Sequence, residues 1–177
     1  MRILKKEICS GYGNSDKTKT MKDFTHLDES GNARMVDVQS KAVTARTATA
    51  RSVVVLPDIV WQQFTAGDIQ TAKGSVFGTA IIAGILAAKK TGELIPLCHP
   101  LPIENCSVRI SAESNRLVIE CTASITAKTG VEMEALVGAS LAALTVYDMC
   151  KSMSHDIVIA ETRLMEKKGG QHDFSLE

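Results

Sequence analysis

Between Val131 and Met153 the chain carries only four charged residues, Glu132, Glu134, Asp148 and Lys151. A helix apolar on nearly every side has to be covered, because a solvated helix keeps a polar face. Thr129 followed three residues on by Glu132 is a capping-box pattern and predicts where this helix begins. At roughly 100° per residue, Glu134 and Asp148 point about 40° apart, and Lys151 lies about 60° further round on the same side. Glu132 points nearly opposite to Asp148. The plain reading is a solvated stripe with an Asp148–Lys151 ion pair at i,i+3 spacing. Distance limits any shared role, however. From Glu134 to Asp148 the helix rises roughly 21 Å, too far for both to reach one small reacting centre. Either they serve separate sites, or two antiparallel copies bring Glu134 of one subunit beside Asp148 of another. Gly138, Ala139, Ala142 and Ala143 make the helix a candidate subunit contact.

The segments around this helix read as its cover. "KAVTARTATARSVVV" (Lys41 to Val55) carries Val43, Ala45, Thr47, Thr49, Val53 and Val55 at period two, which predicts a strand. Pro57 opens a short helical piece, "PDIVWQQF". The run from Val76 to Lys90 reads as a buried helix in which Gly78 and Gly84 allow another backbone close. "CSVRISAE" and "RLVIECTASITA" both alternate, and Ser114-Asn115 between them signals a tight hairpin. "DIVIAETRLME" from Asp156 closes as a further strand, and a polar tail follows Gly169-Gly170. Strand, helices, strand, strand, helix, strand is the α+β split βαβ (βαββαβ), or ferredoxin-like, order: four antiparallel strands with helices packed on one face.

Lys plus Arg equals Asp plus Glu at 20 each, so the formal net charge is 0, and a binder of nucleic acid would carry a basic excess. Aromatics at 4% are too few for base-stacking platforms. The apolar run from Val76 to Ala88 is too short to span a bilayer. Five cysteines at scattered spacings, with no signal peptide before them, indicate reduced thiols and a cytoplasmic protein. Residues 1–23 mix Lys with Gly, Ser and Thr and read as a flexible tail before a single domain over residues 24–177.

Three of the four prolines fall between Gly92 and Cys106, and Pro96 and Pro100 bracket Leu97-Cys98-His99. Proline fixes φ and disfavours helix for the residue before it, which predicts an extended backbone here. On such a backbone Cys98 and His99 point to opposite faces and do not pair with each other. No C-x-x-C or H-x-x-x-H spacing exists, so a metal site has no visible ligand set. Lys73, Lys89, Lys90, Lys128, Lys167 and Lys168 sit at element ends. Surface lysines commonly do so, yet lysines with buried carboxylates and one histidine equally suit a phosphate-bearing substrate and acid–base chemistry.

Three segments together, "FTHLDESGNARMVDV" (Phe24 to Val38), "LIPLCHPL" (Leu94 to Leu101) and "KTGVEMEAL…ASLAALTVYDMCK" (Lys128 to Lys151), resemble the cyclic pyranopterin monophosphate synthase family of molybdenum cofactor biosynthesis. The resemblance covers about residues 24 to 174. It implies a lyase that converts 3′,8-cyclo-7,8-dihydro-GTP to cyclic pyranopterin monophosphate with release of pyrophosphate. It also implies ferredoxin-like subunits in a homohexamer, a trimer of dimers with sites at dimer interfaces. By the same resemblance Asp148, Lys151 and Lys73 are catalytic. Leu97, Cys98, His99, Glu132, Met133, Glu134, Lys89 and Lys167 contact the substrate. No cofactor and no metal is implied, and Cys98 is then a wall of the pocket. Two readings from other classes are a nucleotide-binding assembly module without catalysis, which does not require Asp148, and a metal-dependent hydrolase using Cys98 and His99.

Overall fold

A computed structural model describes residues 32–176, of which those from Asp37 onward form one compact unit. The expected tail over residues 1–23, the domain start at residue 24, Cys9 and part of the Phe24–Val38 motif lie outside the described residues. In chain order the elements are β1 (Thr44–Val55), α1 (Asp58–Trp61), β2 (Phe64–Thr65), β3 (Asp68–Thr71), β4 (Gly74–Ser75), α2 (Val76–Lys89) and α3 (Thr91–Leu94). There follow β5 (Asn105–Glu113), β6 (Arg116–Ala127), α4 (Glu132–Cys150), β7 (Val158–Lys168) and β8 (Phe174–Ser175).

The long strands form an antiparallel sheet in the order β5-β6-β1-β7-β8. Alternation decides its two faces. Ala48, Ala50 and Val54 of β1 and Leu117, Ile119, Cys121 and Ala123 of β6 are buried in one core with Ala80 of α2 and Ala135, Ala139, Ala142 and Val146 of α4. Both helices therefore lie on one face of the sheet, and each buried Val, Leu or Ile contributes roughly 1.5–3 kcal/mol there. The opposite face is polar: Arg109, Glu120, Arg51 and Arg163 stand in register across four strands, and the Thr49 and Thr122 hydroxyls meet at 2.9 Å. α4 has the length and composition of a membrane-crossing helix, but more than half of it is buried in this core.

The sheet has five strands, not the four expected. The polar tail turns back after Gly169, whose N–H donates to Asp173 Oδ1 at 3.0 Å, and Phe174–Ser175 pairs with Lys167 and Glu166. That pairing covers part of an otherwise open edge on β7. A strand of two residues has no period to read. For the same reason the three-stranded sheet β2-β3-β4 was not expected, although Ala66 (φ 52°) and Gly67 (φ 86°) make a two-residue turn inside it.

The hairpin turn at Ser114-Asn115 is as expected, with φ of 44° and 64°, the left-handed pair a type I′ turn requires. Its tip is pinned, since Leu56 N–H donates to Asn115 O at 2.8 Å and Asn115 Nδ2 to Asp58 Oδ1 at 2.6 Å. Gly84 does allow close approach: a Cβ there would stand 2.9 Å from the Gly138 carbonyl oxygen, so α2 and α4 touch backbone to backbone. Gly78 does not, because a Cβ there would meet only Ser75, the N-cap of its own helix. The Thr129 capping box is also corrected. α4 starts at Glu132 with Val131 at the N-cap and no side-chain cap bond. Glu132 folds over Gly130 instead and pairs with Lys167 at 3.2 Å, while Glu132 and Glu134 place negative charge in the first turn, where the helix dipole favours it.

Candidate active site

Asp148 stands in the last turn of α4, where its carboxylate meets two ammonium groups. Lys151 Nζ lies 2.7 Å from Oδ1, and Lys73 Nζ lies 3.1 Å from Oδ2. Lys73 Nζ is also 3.5 Å from the backbone carbonyl oxygen of Asp148. The hydrogen bonds from Lys151 and then Lys73 hold the Asp148 carboxyl below the usual carboxylate range, and Asp148 in turn raises Lys151. Both shifts run toward the charged forms. All three side chains are about half exposed. Ion pairs this open add little stability, and an anionic ligand can reach them.

Lys73 reaches Asp148 from the turn joining β3 to β4. Thr71 Oγ1 donates to Gly74 O at 3.2 Å and accepts from Lys73 N–H at 3.1 Å, which closes the tip. The base is held by one carboxylate: Asp68 Oδ1 accepts from Ile69 N at 2.7 Å and Phe77 N at 2.9 Å, and Oδ2 from Ser75 Oγ at 2.6 Å and Gln70 Nε2 at 3.0 Å. Ser75 Oγ also accepts from Gly78 N at 2.8 Å, capping α2. Phe64 in the neighbouring strand stacks on Trp61 and lies against Phe77 of α2. The Cys150 thiol near the end of α4 is pushed up to about 11 by burial and, secondarily, by the Asp68 charge.

A second group gathers at the other end of α4. Glu134 is 3% exposed, and burial raises its carboxyl above the ordinary range, with the Glu132 charge a smaller cause in the same direction. Its charge reaches Cys98, whose thiol is raised by burial first and by Glu134 second. Glu132 is held by Lys167, and Met133 between the two carboxylates remains 37% exposed. The backbone at Cys98 is not extended as expected. Ile95 is extended (φ −110°, ψ 109°), and Cys98 N–H donates to Ile95 O at 3.0 Å, closing a turn with Pro96 in its second position. Leu97 sits exposed on that turn, and Cys98 and His99 are half-buried. Lys89 lines a cavity of about 330 Å³ with Gly92, Glu93, Pro100, Leu101 and Pro102. A Cβ on Gly92 would lie 2.8 Å from Pro100 Cα, so glycine is what lets α3 rest on the proline segment.

The chain thus unites Lys73, Asp148 and Lys151 at one end of α4, and Glu132 with Lys167, next to the buried Glu134, at the other. It does not bring the two ends together, since α4 is unbroken from Glu132 to Cys150. Sequence reasoning missed Asp68, because the stretch around Trp61 to Gln70 is undistinctive. The cue was Asp68 seven residues before Ser75, which opens the next helix. Among the described residues no three His, Cys, Asp or Glu side chains gather as metal ligands.

The family model described as "MoaC family" matches residues 35–170. A curated relative from Xanthomonas oryzae pv. oryzae, "Cyclic pyranopterin monophosphate synthase", is 55% identical over 152 residues, covering 85% of this chain and 92% of the relative. A protein of the same name from Xanthomonas campestris pv. campestris is 53% identical over the same shares. The chain is also 48% identical to the "Molybdenum cofactor biosynthesis bifunctional protein" of Synechocystis, covering 86% of this chain and 45% of that protein. A family model spanning most of the described fold, with relatives sharing more than half of the aligned residues, shows that the chain belongs to the MoaC family.

Proposed function

We propose that this protein is a cyclic pyranopterin monophosphate synthase of molybdenum cofactor biosynthesis, converting 3′,8-cyclo-7,8-dihydro-GTP to cyclic pyranopterin monophosphate and pyrophosphate. The observation that carries the reading is the Lys73–Asp148–Lys151 cluster, assembled from two distant segments at one accessible point. The names of its relatives point to the same chemistry. The reaction opens a reduced purine ring, recloses it as a pterin, and drives a ribose hydroxyl onto the α-phosphorus. Each step moves protons. Asp148 enters as a carboxylate and Lys151 as an ammonium, so Asp148 is the proton acceptor and Lys151 the donor. Phosphate oxygens drawing Lys73 and Lys151 away from Asp148 leave the carboxylate a stronger base, and the lysines stabilise the charge that develops as pyrophosphate departs.

In this proposal Leu97, Cys98, His99, Met133, Glu134, Glu132, Lys89 and Lys167 bind substrate. The separation of Glu134 from Asp148 along one unbroken helix supports a site shared between two subunits; the hexamer, a trimer of dimers, is proposed on the family resemblance alone. Taken in chain order, the four long strands lie second, third, first, fourth across the sheet, which supports the ferredoxin-like assignment. A cytoplasmic location is part of the same proposal and rests on the scattered spacing of the cysteines in the sequence.

The test is to incubate the folded protein with the cyclic dihydro-GTP intermediate and measure pyrophosphate and the pterin product, with and without chelator. Both products should form, and chelator that matches any added Mg²⁺ should not abolish them. Substrate binding without turnover would leave only the assembly-module reading standing, and turnover lost to chelator would revive the hydrolase.

A further inference from the structure

We infer that Asp68 is a positioning residue that acts through Lys73: its carboxylate locks the base of the β3–β4 hairpin onto the N-terminus of α2, so that the hairpin tip holds Lys73 against Asp148. The inference adds a residue to the site described above and rests on that site for its importance to catalysis. Its geometric content stands without the reaction.

The argument begins with the weakness of the hairpin. β3 has four residues and β4 two, and they share only two register pairs, Gln70↔Ser75 and Thr71↔Gly74. An isolated two-stranded hairpin of this size is unstable in water. Lys73 itself has a long, flexible stem, and about half of its side chain faces solvent. Something else must fix where its backbone stands. Asp68 supplies it, accepting four hydrogen bonds from Ile69, Gln70, Ser75 and Phe77, which belong to three successive elements. Hydrogen bonds to an ionised acceptor contribute more than neutral ones. The Phe77 bond matters most, because it satisfies a first-turn N–H of α2 that no carbonyl of its own helix can reach. α2 is in turn locked against α4 through Gly84 and Gly138. A rigid path thus runs from Asp148 on α4, across to α2, through Asp68 and out to Lys73.

The alternative is that Asp68 is only a cap for α2, serving stability and nothing more. Replacing it by Asn separates the two. The amide keeps shape and one acceptor oxygen, but turns a donor toward the Ser75 hydroxyl and Gln70 amide, so the hairpin base loosens. The probe is Asp148, whose carboxyl is held low by Lys151 and by Lys73 and is followed by carboxyl-carbon NMR. K73A raises the Asp148 midpoint by removing one of its two cations. D68N should raise it, although loss of the Asp68 charge by itself acts in the opposite direction, and D68N/K73A should show no rise above K73A alone, because the effect of Asp68 passes through Lys73. A pure cap would lower Tm and leave the Asp148 midpoint at or below its wild-type value, and a rise that persists in the K73A background would equally overturn the inference. Should D68N not fold, the same cycle is run with D68E, which keeps the charge and displaces it by one methylene. A D68E shift that is absent, or that K73A does not absorb, overturns it. The titration uses no substrate, so an error in the assigned reaction leaves this result intact. In the enzymatic assay D68N should lower kcat about tenfold, the effect again vanishing in K73A.

Discussion

Glu134 and Asp148 stand on one unbroken helix, with fourteen residues of rise, about 21 Å, between a buried carboxylate and an exposed one. No bend near Gly138 folds the two ends toward each other.

A site that needs both residues must therefore draw them from two subunits. Inactive Asp148→Asn protein and inactive Glu134→Ala protein, mixed under conditions where subunit exchange is shown, should regain activity. A hybrid two-fold contact puts both lesions in one site and leaves its other site whole. The recovery should be a fraction of wild type. Mixtures that exchange and stay dead would remove the shared site.

Asp148→Asn keeps the shape of the side chain and removes the proton acceptor. Product formation should drop on the order of 10²–10⁴-fold while substrate still binds. In the wild type, two lysines hold Asp148 ionised to unusually low pH, so the acid limb of the rate profile should lie below the ordinary carboxylate range and move up in Lys73→Ala. Near-normal turnover in the Asn variant would take Asp148 out of the mechanism.

Cys98 and His99 should separate cleanly. Cys98→Ala should cost little, as expected of a pocket wall, whereas His99→Ala should lose substrate binding or turnover by tenfold or more, on the order of a lost hydrogen bond to a charged group. Elemental analysis should find no stoichiometric zinc, and one tightly bound zinc per subunit would contradict the assignment.

Glu134 makes stability fall as pH rises. Burial raises its folded pKa above the unfolded value, so the folded chain keeps a proton that the unfolded chain releases. Its contribution is fully present below the unfolded carboxylate pKa of about 4.3 and is lost as pH climbs through the folded value. Glu134→Gln carries no such penalty. Its Tm should match wild type near pH 4 and exceed it by a few degrees at pH 7, where 1 kcal/mol corresponds to about 2–4 °C for a chain of this size. A gap that does not change with pH would show that Glu134 is not desolvated in solution.

Gly84→Ala forces a methyl group toward the Gly138 carbonyl, a backbone atom that cannot rotate away. Overpacking of this kind costs about 1–3 kcal/mol, and thermal melts should show it as a lower Tm. Gly78→Ala meets only the Ser75 side chain and should lose less.

The long elements were legible because their periods extend over many residues. β1, β5, β6 and β7, both long helices and the Ser114-Asn115 turn follow directly from alternation, apolar spacing and turn chemistry. The short ones were not. β2, β3, β4 and β8 have two to four residues each and are set by tertiary hydrogen bonds that no local pattern records. The α4 start was misplaced because Thr129 and Glu132 fit a capping box, yet Lys167, distant in sequence, captures the Glu132 carboxylate. At the site, the i,i+3 pair of Asp148 and Lys151 could be read from helix geometry. The contact with Lys73 was reachable only through resemblance, and Asp68 beneath it left only its spacing from Ser75 as a cue, because its role rests on tertiary hydrogen bonds.

The placing of β1 has a consequence for how the chain comes to be folded. It is the central strand and the first of the long ones to be synthesised, yet none of its residues has a sheet partner earlier than Arg116, and its second neighbour begins at Val158. A newborn chain therefore carries "ARSVVV" as an unpaired strand until most of the domain has emerged, while the β5–β6 hairpin can form locally and wait for it. Sequence-distant pairing of this kind slows folding and lengthens the time a sticky strand is exposed. Polar substitutions on the outward face of β1 should therefore raise the soluble yield more than the same substitutions on the locally paired β5–β6 hairpin.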